Sequence, residues 1–519
     1  MPGAFLDFCM LEKIFKIKGI DQMKREVSKA SKDESLKRVL KLGDLIALGL
    51  GAVIGSGIFV TAGIAAAGSE NYAAAGPSVM VSFVVVAIAC LFCVFCYAEL
   101  ASVIPIAGGA YTYTYATFGE YAAWIMACNI ILEYMLGNVA VAISWSGYFN
   151  AILKWLGIGL PDWAVTSSMI ASPEVWASAP CLCGIPIVCN IPAVAIVFLT
   201  TCLLVRGIRE SSNVNNFLVV LKIVIILAVI GLGAAWVNPG NWVPFAPGGF
   251  AGIQAGASII FFSYIGFDFV ATVSEEAENP QRDLSRAMII TLAVSTLLYA
   301  LVAAVLTGMA KYTLLGTADP MATAFRLVGM PKAAAFISIG AVVCMTAVLI
   351  SFQIAQPRVW FVVARDKLLP PFFAKVHAKY KTPYVTTIFI GLLVTLGAGF
   401  LDLTSVVALC NVGAIFCFIL VCLEVIVLRH RQPDLERPFR TPLVPWVPIG
   451  GILFCIYLAL GVYSHTWVYY AVWIVVCTLI YSFYGYRHGY SQHVEIDGAA
   501  GDGEIESGPV PDQVVEKDQ

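Results

Sequence analysis

The chain has 519 residues, of which 60% are hydrophobic and only 12% charged, with a mean hydropathy of +0.85. No soluble domain needs that much apolar surface, so the composition implies an all-α polytopic membrane protein. A formal net charge of −2 argues against a nucleic-acid partner.

Residues 1–42 form a polar, basic segment that runs into KRVLKLGDL. It lacks the short apolar core and cleavage site of a secretory signal, so the N-terminus is expected on the cytoplasmic side. Apolar runs long enough to span a bilayer follow at about 43–66, 77–102, 121–147, 187–205, 212–236, 253–275, 286–309, 332–361, 383–400, 404–428, 445–464 and 467–486, predicting twelve helices. With the N-terminus inside, 25 of the 31 Lys and Arg fall in cytoplasmic segments, as the positive-inside rule requires of a multi-pass protein of the cell's inner membrane with both termini cytoplasmic. The acidic, glycine-rich stretch 490–519 is expected to be a disordered tail. Most of the fifteen cysteines lie within apolar runs and read as small hydrophobes. Cys181, Cys183 and Cys189 share the Pro- and Trp-rich loop 149–190 without an assignable pairing. The five histidines sit in loops or at span ends, so no metal site is expected within the membrane, and no cofactor is implied.

Span one contains AVIGSGIF at residues 52–59, where Gly51, Gly55 and Gly57 crowd into seven positions around Ser56. Glycine lets backbone leave the helix, and unwound backbone survives in a bilayer only under protein or in a polar cavity. A glycine face for close helix packing is the structural alternative. Span six, IIFFSYIGFDFVATVSEE, carries Ser263, Tyr264, Gly266 and Asp268 at mid-depth. Each of the two spans opens a block of five helices, at 43–236 and 253–428, and five is odd, so the blocks enter the membrane from opposite sides. Paired breaks in inverted halves favour a transport site over packing glycines. The outer half of span one would offer free N–H groups near residues 56–58 to an anion. Carbonyls around Val53, Ile54, Phe262, Ser263 and Ile265 would suit a cation or ammonium group. Such a pair of partial charges, set across a hollow between the breaks, fits an α-amino acid.

Glu99, Glu133, Lys222 and Asp268 interrupt runs otherwise nearly free of charge and are expected to face the protein interior. Lys222 is read as a coupling residue that carries a proton, against the alternative of a permanent ion pair. Glu133 either receives the substrate ammonium or pairs with Lys222. Glu99, near a span end, reads as structural or gating, and Asp268 as a cap or tether of the broken span six. Gln353 and Asn411 are the polar candidates for side-chain selectivity in spans eight and ten.

The segments GAVIGSGIFVTAG, YAELASVIPIAGGAYTY, ILEYMLGNVAVAISWSGYF, FFSYIGFDFVATVSEEAENPQRDL, QPRVWFVVARDKLLPPFFAKVHAKYKTP and RQPDLERPFRTPLVPWVP resemble the amino acid–polyamine–organocation superfamily. Within it the chain is similar to the cationic amino acid transporter family in its shorter bacterial form, over about residues 36–490. The resemblance implies a leucine-transporter-type fold, a 5+5 inverted repeat with spans one and six broken and spans eleven and twelve (445–486) outside it. It places the substrate backbone at Val53, Ile54, Gly55, Ser56, Gly57, Phe262, Ser263 and Ile265. It matches Glu133 to the family's span-three acid and Lys222 to the span-five lysine that replaces a sodium site in proton-linked or sodium-independent members. Ser56 stands where many members have threonine, and Ser263 where alanine is common.

The expected function is a secondary transporter of cationic or small neutral α-amino acids, proton-coupled or an exchanger, with oligomeric state left open. A polyamine or organic-cation carrier would need more acidic side chains than these spans offer. A membrane amino acid receptor would need an output domain, and the tail has none recognisable. A channel lacks a filter-like repeat. An intramembrane aspartyl protease lacks a second aspartate facing Asp268, so no enzyme is expected.

Overall fold

In the computed structural model, residues 16–20, 22–23, 39–70, 72–106, 108–182, 184–206, 212–375, 377 and 382–489 are described. The tail expected at 490–519, most of the N-terminal segment and Cys183 lie outside these residues.

The described chain is helical apart from a two-residue hairpin, β1 (Cys181–Leu182) with β2 (Ile185–Pro186). Its helices are α1 (Leu42–Val53), α2 (Ala62–Ala67), α3 (Val79–Val103), α4 (Ala110–Phe118), α5 (Glu120–Trp155) and α6 (Pro173–Ser178). They continue as α7 (Ile191–Val205), α8 (Ser212–Ala234), α9 (Gly249–Ile260), α10 (Phe269–Thr272), α11 (Pro280–Met309) and α12 (Pro320–Leu327). The last are α13 (Pro331–Arg365), α14 (Tyr384–Phe400), α15 (Leu403–Arg431), α16 (Trp446–Leu460), α17 (Ser464–Ile480) and α18 (Tyr486–His488).

Among the described residues, nine helical stretches are long and apolar enough to cross a membrane. Three more of the twelve expected spans coincide with the shorter apolar helices α7, α14 and α16. Their 15, 17 and 15 residues rise about 22–26 Å, short of a hydrocarbon layer of roughly 30 Å. Local chemistry trims them: α7 starts with Pro192 behind an Asn190 cap, and α14 begins directly after Pro383. At the other extreme, α5 and α13 run 36 and 35 residues.

The centre of the molecule is α5, in which 94% of the residues of an apolar eighteen-residue stretch are buried. It packs most extensively on α13, while α3 packs on α11 and α7 on α14. The outer helices turn large apolar side chains away from the protein, among them Phe198, Val220, Leu392, Leu453 and Val472. A rim this apolar marks a surface solvated by lipid. The protein is a multi-pass membrane protein.

Candidate functional site

Both expected breaks are present. Helix α1 stops where Ile54 adopts φ −78°, ψ 95°. The chain resumes at Ser56 and runs through a π-turn, Gly57–Thr61, into α2. In span six, α9 tightens into a 3₁₀ turn, Phe261–Tyr264. Ile265 then leaves the helix at ψ 133°, and Gly266 takes φ +111°, a region that L side chains rarely adopt, before α10 begins.

The two breaks touch through their backbones. A Cβ added to Gly57 would stand 2.5 Å from Ser263 Cα, and one on Gly266 3.2 Å from Ala52 Cβ. The expected hollow is therefore closed at this point, because a glycine and a serine let the segments pack directly. Thr61 spans the contact: its hydroxyl bonds Gly57 O and lies 3.2 Å from Ser263 Oγ. One turn beyond, a cleft opens between α2, α9 and α15, lined by Thr61, Ile64, Ser258, Ile259, Val407 and Asn411 and bordered by Tyr72 and Tyr463. Among the described residues, no charged side chain lines it. Tyr72 Oη donates to Ile64 O at the rim, and burial pushes its hydroxyl up to about 12, so it stays a neutral donor.

The loose ends of the broken helices are held by specific donors. The first-turn N–H groups of Ser56, Gly57 and Ile58 have no helical carbonyl before them, and Ser56 Oγ is buried without a hydrogen-bond partner. At the end of α1, Leu50 O accepts from Ile54 N–H, Gly51 O from Lys222 Nζ at 2.6 Å and Val53 O from Tyr299 Oη at 2.8 Å. At the end of α9, Asn411 Nδ2 donates to Ser258 O at 2.6 Å. The half of span one after the break is pinned by Tyr148 Oη on Phe59 O at 2.7 Å.

The profile of the amino acid permease family matches residues 40–483. The chain belongs to that family. It is 42% identical over 480 residues to the branched-chain amino acid permease BcaP of Bacillus subtilis, covering 92% of this chain and 99% of the relative. The methylthioribose transporter of the same organism is 39% identical, with the same coverage. Cationic amino acid transporter 9 of Arabidopsis thaliana, a chloroplastic protein, is 33% identical over 89% of this chain and 90% of its own. These relatives are permeases and transporters, not enzymes.

In this permease Glu133 is buried on α5, and neither of its carboxylate oxygens has a hydrogen-bond partner. Lys222 donates to Gly51 O instead, so of the two expectations for Glu133 the pairing with Lys222 is not made. Asp268 stands at the start of α10 without a capping bond. Its Oδ2 accepts from Tyr134 Oη at 3.5 Å. Val53 O, one of the carbonyls expected to face a ligand, accepts from Tyr299 Oη. Glu99 accepts both Arg429 Nε and Nη2, at 3.0 and 2.7 Å. It also accepts the N–H of Thr441 and lies 3.2 Å from Arg437 Nε. Gln353 is buried with neither amide atom bonded. Sequence reasoning missed Thr61, Tyr148 and Tyr299. A tyrosine among aliphatic residues, as in LLYALV, is the signal that marks Tyr299.

Proposed function

We propose that this chain is a secondary active transporter that moves α-amino acids across the cell's inner membrane by alternating access around the two breaks. The observation that carries the reading is the backbone contact of Gly57 on Ser263 beside an uncharged cleft. When the two breaks move apart, the substrate carboxylate meets the N–H groups of residues 56–58 and the Ser56 Oγ that has no partner among the described residues. Its ammonium meets carbonyls of Ile54, Phe262, Ser263 or Ile265, with the unpaired Glu133 carboxylate behind. The side chain enters the cleft, and a lining without charge favours a neutral, apolar one over arginine or lysine. The branched-chain permease among the relatives agrees with that choice.

Twelve spans arranged as two five-helix repeats, 43–236 and 253–428, with 445–486 outside them, account for the packing. Three pairs of helices five positions apart in that scheme lie on one another, α3 on α11, α5 on α13 and α7 on α14, as does the break of span one on that of span six. Neighbours across a pseudo-twofold axis are related in this way. Lys222, at the end of α1, occupies a cation position and couples transport to protons. The N-terminal segment faces the cytoplasm in this reading.

The test is uptake by purified protein in liposomes, with labelled leucine, alanine, arginine and lysine, varying pH and sodium separately. Leucine or alanine uptake without a sodium requirement is expected. Uptake of arginine in preference to leucine, or none of any amino acid, overturns the reading.

A further inference from the structure

One carboxyl deep in the bundle has no part in the mechanism above. Glu424 lies on α15 with no exposed surface. Its Oε1 contacts Thr114 Oγ1 of α4, and Oε2 has no hydrogen-bond partner. Among the described residues no cation pairs with it: Arg429 and Arg437 are held at Glu99, and Arg431 donates to Thr117 O. Tyr113 adjoins Thr114 on α4, and Cys417 and Cys422 share the helix of Glu424.

Thr114 Oγ1 also lies 2.9 Å from Ala110 O. A hydroxyl has one proton to donate, and a carbonyl and an ionised carboxylate both only accept. With Thr114 donating to Ala110 O, the contact to Glu424 needs its proton from the carboxyl. A buried carboxylate with one neutral partner is costly, whereas the acid leaves only a single oxygen unbonded. Tyr113, next to Thr114 on α4, also buries its hydroxyl without a hydrogen-bond partner among the described residues.

We propose that Glu424 is a second proton-binding site of the permease, a carboxylic acid donating to Thr114 Oγ1 in this arrangement and releasing its proton to water when α4 and α15 part. The ligand is a proton, and the site is distinct from Lys222. The transport consequence rests on the function proposed above, whereas the protonation state does not.

Two measurements on the full chain in liposomes test it. The first is the infrared carboxylic-acid C=O band at neutral pH, present in the wild type and absent in Glu424→Gln, whose amide keeps a donor for Thr114 and cannot titrate. Thr114→Val, which removes the acceptor, is expected to shift that band. The second compares exchange with proton-driven accumulation. Glu424→Gln is expected to slow exchange by no more than about threefold while abolishing accumulation driven by a pH gradient. A band unchanged in both variants, or a variant that accumulates like wild type, overturns the proposal. If the wild type moves no amino acid, the transport reading fails, and the infrared band alone still decides the state of Glu424.

Discussion

At the scale of single residues, the informative side chains are those whose charge has no business in a bilayer. A lysine at mid-membrane costs at least about 2.5 kcal/mol unless it finds a partner. Lys222 finds Gly51 O, 2.6 Å away, at the negative end of α1, where both the hydrogen bond and the helix dipole favour a cation. Methionine has a similar reach and no charge, so Lys222→Met is expected to fold, at a cost of about 1–3 kcal/mol for the carbonyl left without its donor. If the ammonium is the coupling group, leucine uptake by this variant will no longer respond to pH between about 5 and 8. A pH profile matching the wild type would remove Lys222 from coupling. The sequence made Lys222, Glu133 and Asp268 visible, because a charge within an apolar run stands out. It could not reveal that Lys222 ignores Glu133 for a carbonyl, since every residue has a carbonyl and only three-dimensional register selects one. Glu424 escaped notice for a related reason: five residues before Arg429, it reads as part of a charged span end, yet it is fully buried.

At the scale of elements, glycine spacing and mid-span polar residues were enough to locate both breaks, because the conformations they need are costly for other residues. Helix lengths were less legible. Apolar runs at 187–205, 383–400 and 445–464 continue past helix ends that caps and prolines impose, and the helices there are shorter than the runs. The contact between the breaks could not be read at all, since it depends on how two distant segments dock. Two variants probe it. Gly57→Val places a Cβ against the Ser263 backbone, where no flexible side chain can give way. We expect uptake to be lost and the fold destabilised by about 1–3 kcal/mol in thermal unfolding. Normal uptake would move the carboxylate site elsewhere. Asn411→Ala removes the donor to Ser258 O and opens the cleft wall. A loss of about 1–3 kcal/mol is expected for the unsatisfied carbonyl, with a selectivity shift toward larger apolar side chains. Competition among unlabelled alanine, leucine and phenylalanine reads the shift, and an unaltered order would take Asn411 out of the cleft's role.

At the scale of the whole molecule, packing divides the helices into two sets. Spans one and two, α11 and the broken span six lie together, and α5, α7, α13 and α14 lie together. Bonds that cross between them should set which end of the site is open. At the end bearing the N-terminal segment, Arg358 of α13 reaches Glu276 beyond α10 at 2.9 Å. Lys18 reaches Asp366, just past α13, at 3.1 Å, and Tyr111 Oη donates to the other oxygen of Asp366 at 2.7 Å. The cleft is on the opposite side of the breaks, bordered by loops that contain Tyr72 and Tyr463. The Arg358–Glu276 pair is partly exposed and is worth at most about 1 kcal/mol. Lys18 and Asp366 are both more than nine-tenths buried, so their bond, which fastens the N-terminal segment across the end of α13, is worth more, about 1.5–3 kcal/mol as a charge-assisted hydrogen bond. Asp366→Asn keeps an acceptor for Tyr111 and removes the charge. If the two sets rock against each other, that loss shifts the closed-to-open ratio at this end by about tenfold to a hundredfold. A cysteine introduced at Ile54 in this background should then react faster with a hydrophilic thiol reagent supplied from the N-terminal side, and more slowly again when saturating leucine is present. Equal labelling rates with Asp or Asn at position 366 would mean that this bond fastens the N-terminal segment to α13 without governing access, and that closure lies in the packing of the helices themselves.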